Sequence, residues 1–244
     1  MTHDITMLYD AIDATWAPAS MTRVGPWTIR EGRDGGSRVS AATAAGPVTE
    51  ADLPQAEAAM RGLGQTPLFM IRQGDAALDA MLAEQGYDLV DPVNLRLGPL
   101  RPLMEEPIPL ARVFAGWEPL AIQREIWAAG GIGPERLAVM ERVEVPKKSM
   151  LGRDGNAPAA TAFVALHKGV AMMHAVEVAV NCRRRGMAAL MCRQAAFWAA
   201  ERGGTHLAAL CTQANEGSNA LCSSLGLEVV GQYHYRKATE ENAR

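Results

Sequence analysis

The chain has 244 residues, 48% apolar and 21% charged, with 24 basic against 27 acidic groups and a formal net charge of −3. That length suffices for one large domain or two small ones. The acidic balance gives no global attraction to nucleic acid or anionic lipid, so an anion site has to come from a local cluster of arginines.

Asp4 caps a short amphipathic helix carrying Ile5, Leu8, Ile12 and Trp16 at helical spacing. A hairpin follows, with strands at 27–31 and 38–42 reversed through Arg33, Asp34, Gly35 and Gly36. Helical signals return over 50–61, then a buried strand over 66–72, a helix over 76–85 capped by Gly86, and a strand region over 87–97. Pro99, Pro102, Pro107 and Pro109 mark a linker, because proline without periodicity disfavours both helix and central strand. Beyond it come a helix over 119–129, strands over 150–153 and 161–167 joined through Asp154, Gly155 and Asn156, and a long strand over 171–180. The longest helical stretch runs from Arg183 to Glu201 and stops at Gly203 and Gly204. Residues 1–17 hold Asp4, Asp10 and Asp13 and no long apolar run, which argues against a signal peptide or membrane span. Cys182, Cys192, Cys211 and Cys222 lack the spacing of a zinc site, so no metal is expected, and reduced thiols point to the cytoplasm.

One stretch repeats at an offset of about 140 residues. Asp79, Ala80, Met81 and Leu82 fall on Asn219, Ala220, Leu221 and Cys222, Gly86 falls on Gly226, and Leu89 and Val90 fall on Val229 and Val230. Strand-helix-strand units share a vocabulary, so chance likeness is the alternative. The repeat predicts two related domains, at 1–100 and 118–244, with a linker at 101–117.

Val176, Val178 and Val180 alternate with Glu177 and Ala179, so this strand presents a valine face just before a helix. Between them stand Arg183, Arg184, Arg185, Gly186, Met187 and Ala188. A helix N-terminus offers unpaired amide donors and a partial positive charge, small residues let a pyrophosphate approach the backbone, and arginines add forked donors. Three arginines in another setting would read as a solvated charge run; this position makes them a phosphate site.

Here the sequence resembles the GNAT superfamily of N-acetyltransferases, whose signature of Arg or Gln, two residues, Gly, one residue, then Gly or Ala is met by Arg183, Gly186 and Ala188. Asn215, Ala220 and Leu221, then Leu225 to Gly231, continue the likeness. It covers about residues 150–236, and the earlier half looks like a degenerate copy without the arginine and glycine turn. The resemblance implies an α+β GNAT fold, with a mixed, mostly antiparallel central sheet flanked by helices and two tandem units. It also implies acetyl-CoA as co-substrate. The backbone of Val178 and Val180 then pairs with the pantetheine arm, amides from Arg183 to Ala189 (Arg184, Arg185, Gly186, Met187 and Ala188 included) hold the pyrophosphate, and Asn215 sits near the thioester.

Transfer to an amine needs a neutral nitrogen, and an amine of pKa about 10.4 is mostly protonated at pH 7. Glu177, mid-strand and opposite the valine face, is the candidate base; an ion pair with an arginine is its alternative, and His174 is a second base candidate. The family places a tyrosine after the Ala-Leu pair to protonate the thiolate, but here Cys222 stands there, leaving Tyr233 or Tyr235 as possible acids. Cys182, beside the arginines, is a less favoured nucleophile. The expected activity is acetyl transfer to a primary amine of a small molecule or a peptide N-terminus, in a ternary complex, by a monomer or homodimer with no nucleic-acid or membrane partner. The alternative is a non-catalytic acyl-CoA-binding sensor of the same fold. Glu118, Glu125, Glu135 and Glu141 could favour a cationic acceptor or simply be solvated.

Overall fold

In the computed structural model, which describes residues 5–239, the chain opens with a helix at Ile5–Thr15. Its expected cap, Asp4, lies outside the described residues. A small antiparallel sheet follows, made of β1 (Ser20–Val24), β2 (Trp27–Glu31) and β3 (Thr43–Ala44) in that order. The expected strand at 38–42 is a correction: Ser37–Ser40 forms one helical turn, and β2 pairs with β1 and β3 instead. Positive φ at Arg33, Asp34 and Gly36 turns the chain out of the sheet before it can reverse as a hairpin.

The main sheet among the described residues has eight strands: β4 (Leu68–Ile71), β5 (Asp88–Pro99), β6 (Val113–Gly116), β7 (Lys147–Asp154), β8 (Ala157–His167), β9 (Val170–Val178), β10 (His206–Thr212) and β11 (Glu228–Lys237). Their order is β4-β11-β5-β10-β9-β8-β7-β6, and only β9 and β10 run parallel. This is the mixed, mostly antiparallel GNAT sheet expected from the resemblance. The proline-rich stretch at 101–117 is not purely a linker, since it ends in β6, which pairs with β7 at the sheet edge. Strands from before residue 100 and after residue 118 are hydrogen-bonded neighbours in one sheet.

Both faces of the sheet are covered, which is why β8 reads as an apolar run without alternation. Ala160, Ala162 and Val164 point to the helix Met187–Ala200, meeting Met187, Met191, Ala195 and Ala199. Phe163 and Ala165 point the other way, onto Trp127, Val139 and Met140 from helices Ala121–Ala129 and Pro134–Arg142. Leu8 and Ile12 of the first helix extend that second layer over Met70, Leu95 and Met172. Among the described residues no helix is long and apolar enough to cross a membrane.

The repeat read from sequence has a counterpart in the strand register. His234 pairs with Ile71 in β11 and β4, and Asn94 pairs with Cys211 in β5 and β10, each residue 140 positions from its counterpart. The three following pairs agree as well, down to Lys237 with Leu68 and Leu97 with Ala208. Tyr233 and Val93, themselves 140 apart, face each other where β11 meets β5, so a local two-fold passes between them. Helices Ala76–Glu84 and Glu216–Ser224 end alike, before Gly86 at φ +78° and Gly226 at φ +72°.

Candidate active site

β9 and β10 pair only from Val170 with His206 to Met173 with Ala209, and beyond that the two strands part. A bulge in β9 helps. Ala175 has φ +49°, the ladder to β8 shifts register between Thr161 and Phe163, and the buried indole of Trp127 donates to the Ala175 carbonyl at 2.7 Å. Trp127 was not among the residues singled out in the sequence, although a buried indole N–H needs an acceptor. Past the bulge, the Ala179 amide donates to the Ala159 carbonyl at 2.8 Å. Alternation along an antiparallel ladder therefore turns the N–H and C=O of Val178 toward the gap. Its carbonyl indeed accepts from Arg183 Nε at 3.1 Å.

The gap opens into a cavity of about 1080 Å³ lined by both strands and by the turn beyond β9. Glu177, Val178, Arg183, Arg184, Gly186, Met187, Ala188, Ala189, Asn215 and Tyr233 all line it; Val180 and Arg185 do not. The strand expected to reach residue 180 ends at Val178, and Val180 stands 78% exposed in a single 3-10 turn at Val180–Cys182.

The helix expected from Arg183 starts at Met187. Arg184 at φ +63° and Gly186 at φ +77° cannot continue a right-handed helix, so residues 183–186 form a turn ahead of it. Such a turn followed by a helix N-terminus presents main-chain amides as an anion cradle. The arginine side chains are partly occupied elsewhere: Arg183 Nη2 pairs with Glu177 Oε1 at 3.1 Å, and Arg185 Nη1 with Asp154 Oδ2 at 2.7 Å.

Glu177 is thus both a cavity carboxylate and the partner of an arginine. Its head rests on Gly130, where an added Cβ would come within 2.6 Å of Oε2. Tyr233 is buried with a hydroxyl that has no hydrogen-bond partner among the described residues, and its ring meets Tyr235 edge-on at 5.5 Å. Burial pushes the Tyr235 hydroxyl well above 10. Asn215 caps the helix Glu216–Ser224, its Oδ1 accepting from the Ser218 amide at 3.0 Å.

His174 is buried, and burial together with Arg38 holds its pKa well below 6.5. Arg38 Nη1 lies 3.1 Å from Nδ1, so Nδ1 accepts and the proton sits on Nε2, which donates to Thr15 Oγ1 at 3.0 Å. With both ring nitrogens engaged, His174 orients Arg38 and is not placed to take a substrate proton. Cys222 is buried with Sγ 3.7 Å from Cys211 Sγ. Hydrogen bonding to Cys222 and burial push the Cys211 thiol up, and burial pushes Cys192 up to about 12. Cys182 is buried with its thiol directed at Asn181 Oδ1. Glu118, Glu125, Glu135 and Glu141 do not line the cavity; Arg38, Arg136 and Asp91 do. Arg38 and Asp91 come from the half before residue 100 and Arg136 from the half after residue 118, and nothing in their local spacing marks any of them.

The family model described as acetyltransferase (GNAT) family matches residues 129–227. No curated protein matches the sequence. Among solved structures the chain is similar to a GCN5-related N-acetyltransferase from Kribbella flavida, at 20% identity and TM-score 0.65, covering 96% of this chain and 95% of that one. It is similar to a functionally unknown conserved protein from Staphylococcus epidermidis, at 10% identity and TM-score 0.67, covering 92% and 96%. A tandem GNAT protein from the clavulanic acid biosynthesis pathway is also similar, at 14% identity and TM-score 0.62, covering 95% and 87%. At these identities the structural likeness establishes the fold.

Proposed function

On the match of residues 129–227 to the acetyltransferase (GNAT) family model, we propose that the protein transfers the acetyl group of acetyl-CoA directly to a primary amine while both are bound. The observation that carries this reading is the parting of β9 from β10 after Met173 and Ala209, above a turn that leads into a helix N-terminus. An extended arm bearing amides can complete the unpaired edge of β9 as an added strand does, with Val178 offering its N–H. The amides of residues 183–189 then receive the pyrophosphate at the helix N-terminus.

In the transfer, the neutral nitrogen attacks the thioester carbonyl carbon, the tetrahedral adduct gives up its extra N–H proton to solvent, the C–S bond breaks, and the amide product and CoA thiolate separate. Deprotonating a lysine-like amine at pH 7 costs about 4–5 kcal/mol, and Glu177 takes that proton. The thiolate is protonated by Tyr233, whose buried hydroxyl faces the same cavity, or by solvent. The acceptor is a small-molecule amine or a peptide N-terminus. The four free cysteines support a reducing, cytoplasmic setting, and the paired strand register supports two tandem GNAT-like units.

One observation favours a second reading, an acyl-CoA-binding protein without turnover: the position of the family tyrosine holds Cys222, whose thiol is buried against Cys211. Calorimetry with acetyl-CoA, followed by free-thiol release against a panel of amines, separates the two. Thiol release with an amine supports transfer; tight binding without release from any amine supports the sensor. Arg183→Ala should weaken acetyl-CoA severalfold, because Arg183 pins the turn to Glu177 and to the Val178 carbonyl. Glu177→Gln should lower turnover far more than affinity, and an unchanged pH-rate profile would remove Glu177 as the base.

A further inference from the structure

The cavity has two ends of different character. One meets the turn at residues 183–189; the other, on the far side of Glu177, is walled by Trp16, Arg38, Asp91, Ile132, Arg136 and Tyr235. Several arginines elsewhere in the fold find carboxylates: Arg30 holds Asp13, Arg185 and Arg112 share Asp154, and Arg236 holds Asp79. Arg38 and Arg136 have no ion pair among the described residues, although both line the cavity.

Arg38 is held in place rather than left to solvent. Its guanidinium lies 5.7 Å from the Trp16 ring centre, its Nη1 donates to His174, and its Nε is buried without an acceptor among the described residues. A half-buried cation fixed by a neutral imidazole, with a donor unsatisfied, is an unfavourable arrangement unless an anion joins it. Arg136 comes to the same wall from the helix Pro134–Arg142. Its Nε would lie 3.7 Å from a Cβ built on Gly36, two residues before Arg38.

The other charges facing this end decide which anion fits. Asp91 offsets one arginine, Glu177 and Arg183 offset each other, and His174 is neutral, so the acceptor end carries one surplus positive charge. That balance matches a single carboxylate better than a phosphate dianion. Resting on the acetyl-transfer reading above, we propose that the acceptor is an amine that also carries a carboxylate, a small amino acid, whose carboxylate is bound by Arg38 and Arg136 while its nitrogen faces Glu177. Of the two readings of Glu118, Glu125, Glu135 and Glu141, this agrees with the solvated one, because those residues lie outside the cavity.

The test uses matched acceptors: an amino acid, its carboxamide, and the corresponding decarboxylated amine. Each is titrated calorimetrically into the protein with CoA present, and assayed for thiol release from acetyl-CoA at equal concentrations of neutral amine. The acid should bind and react with an apparent constant at least tenfold tighter than either analogue. Arg136→Ala, at an exposed position, should weaken the acid about tenfold more than the carboxamide, and Arg136→Lys should recover part of that loss. Acetyl-CoA affinity, measured in parallel, reports that the fold and cofactor end are intact. Equal affinity for acid and carboxamide, or an equal loss of both in Arg136→Ala, overturns the carboxylate subsite even if acetyl transfer proceeds. Arginine-dependent binding of the acid with no thiol release upholds the subsite and rejects transfer.

Discussion

Arg96 and Arg236, 140 positions apart on β5 and β11, make matching contacts with the opposite repeat. Arg96 reaches Asn219 at 3.1 Å and the Leu227 carbonyl at 3.2 Å; Arg236 reaches Asp79 at 2.7 Å and the Tyr87 carbonyl at 3.1 Å. Asn219 and Asp79, and Leu227 and Tyr87, are again 140 apart. Each long strand is therefore tied to the helix and glycine cap of the other half, and the two halves interlock through β5 and β11.

The two arginines differ in what they leave behind. Arg236→Ala strands a partly buried carboxylate with only His234 for company, whereas Arg96→Ala strands neutral groups. A hydrogen bond to a charged group contributes about 1.5–3 kcal/mol and a neutral one about 1 kcal/mol. Urea unfolding should show Arg236→Ala as the more destabilised variant; equal midpoints would contradict this ranking.

Burial alone pushes the Asp79 carboxyl up, but the hydrogen bonds and charges of Arg236 and His234 outweigh it and hold the group below 3.8. A depressed carboxylate adds stability above its unfolded pKa and loses it as pH falls through the folded one. Thermal unfolding of the parent should therefore fall more steeply below about pH 4 than that of Asp79→Asn. Parallel acid profiles would reject the contribution.

His174 has the opposite chemistry and the same sign. It is neutral in the fold and protonates near its ordinary value once unfolded, so the unfolded chain binds the extra proton. Stability should decline as pH drops below about 6.5 toward the depressed folded value, and His174→Gln should flatten that part of the profile. A parent whose stability is level between pH 7 and pH 5 would contradict the buried neutral imidazole.

Gly130 ends the helix Ala121–Ala129 at φ −89°, a conformation open to alanine, yet a Cβ there would sit 2.5 Å from Glu177 Cδ. Gly130→Ala must push the carboxylate aside with little strain on the backbone. Turnover should fall at least tenfold while the melting temperature and acetyl-CoA affinity change little. Normal turnover would mean that the position of Glu177 does not matter to the reaction.

The legibility of the sequence followed the range of the interactions. The order of strand, arginine turn and long helix, the covered strands and the Gly86 and Gly226 caps all rest on local periodicity and turn chemistry, and their placement was readable. The first residue of the helix was not: Arg183 to Arg185 are good helix formers, but positive φ at Arg184 and Gly186 comes from the turn they close. The strand at 38–42 was misread because Gly35 and Gly36 serve either a hairpin or an exit from the sheet. Arg38, Asp91 and Arg136 reach the cavity, and Trp127 reaches the β9 bulge, only through contacts between distant segments, which no spacing within one segment reveals.

The most direct test of the central claim, that a pyrophosphate rests on the amides of residues 183–189, is an acetyl-CoA titration of Ala188→Glu beside the parent. Ala188 is the second residue of its helix, where a carboxylate favours the helix dipole, so folding should be preserved or improved. The same carboxylate would repel a bound pyrophosphate. The account predicts affinity lowered at least tenfold with an undiminished melting temperature; acetyl-CoA binding equally well to both proteins would contradict it.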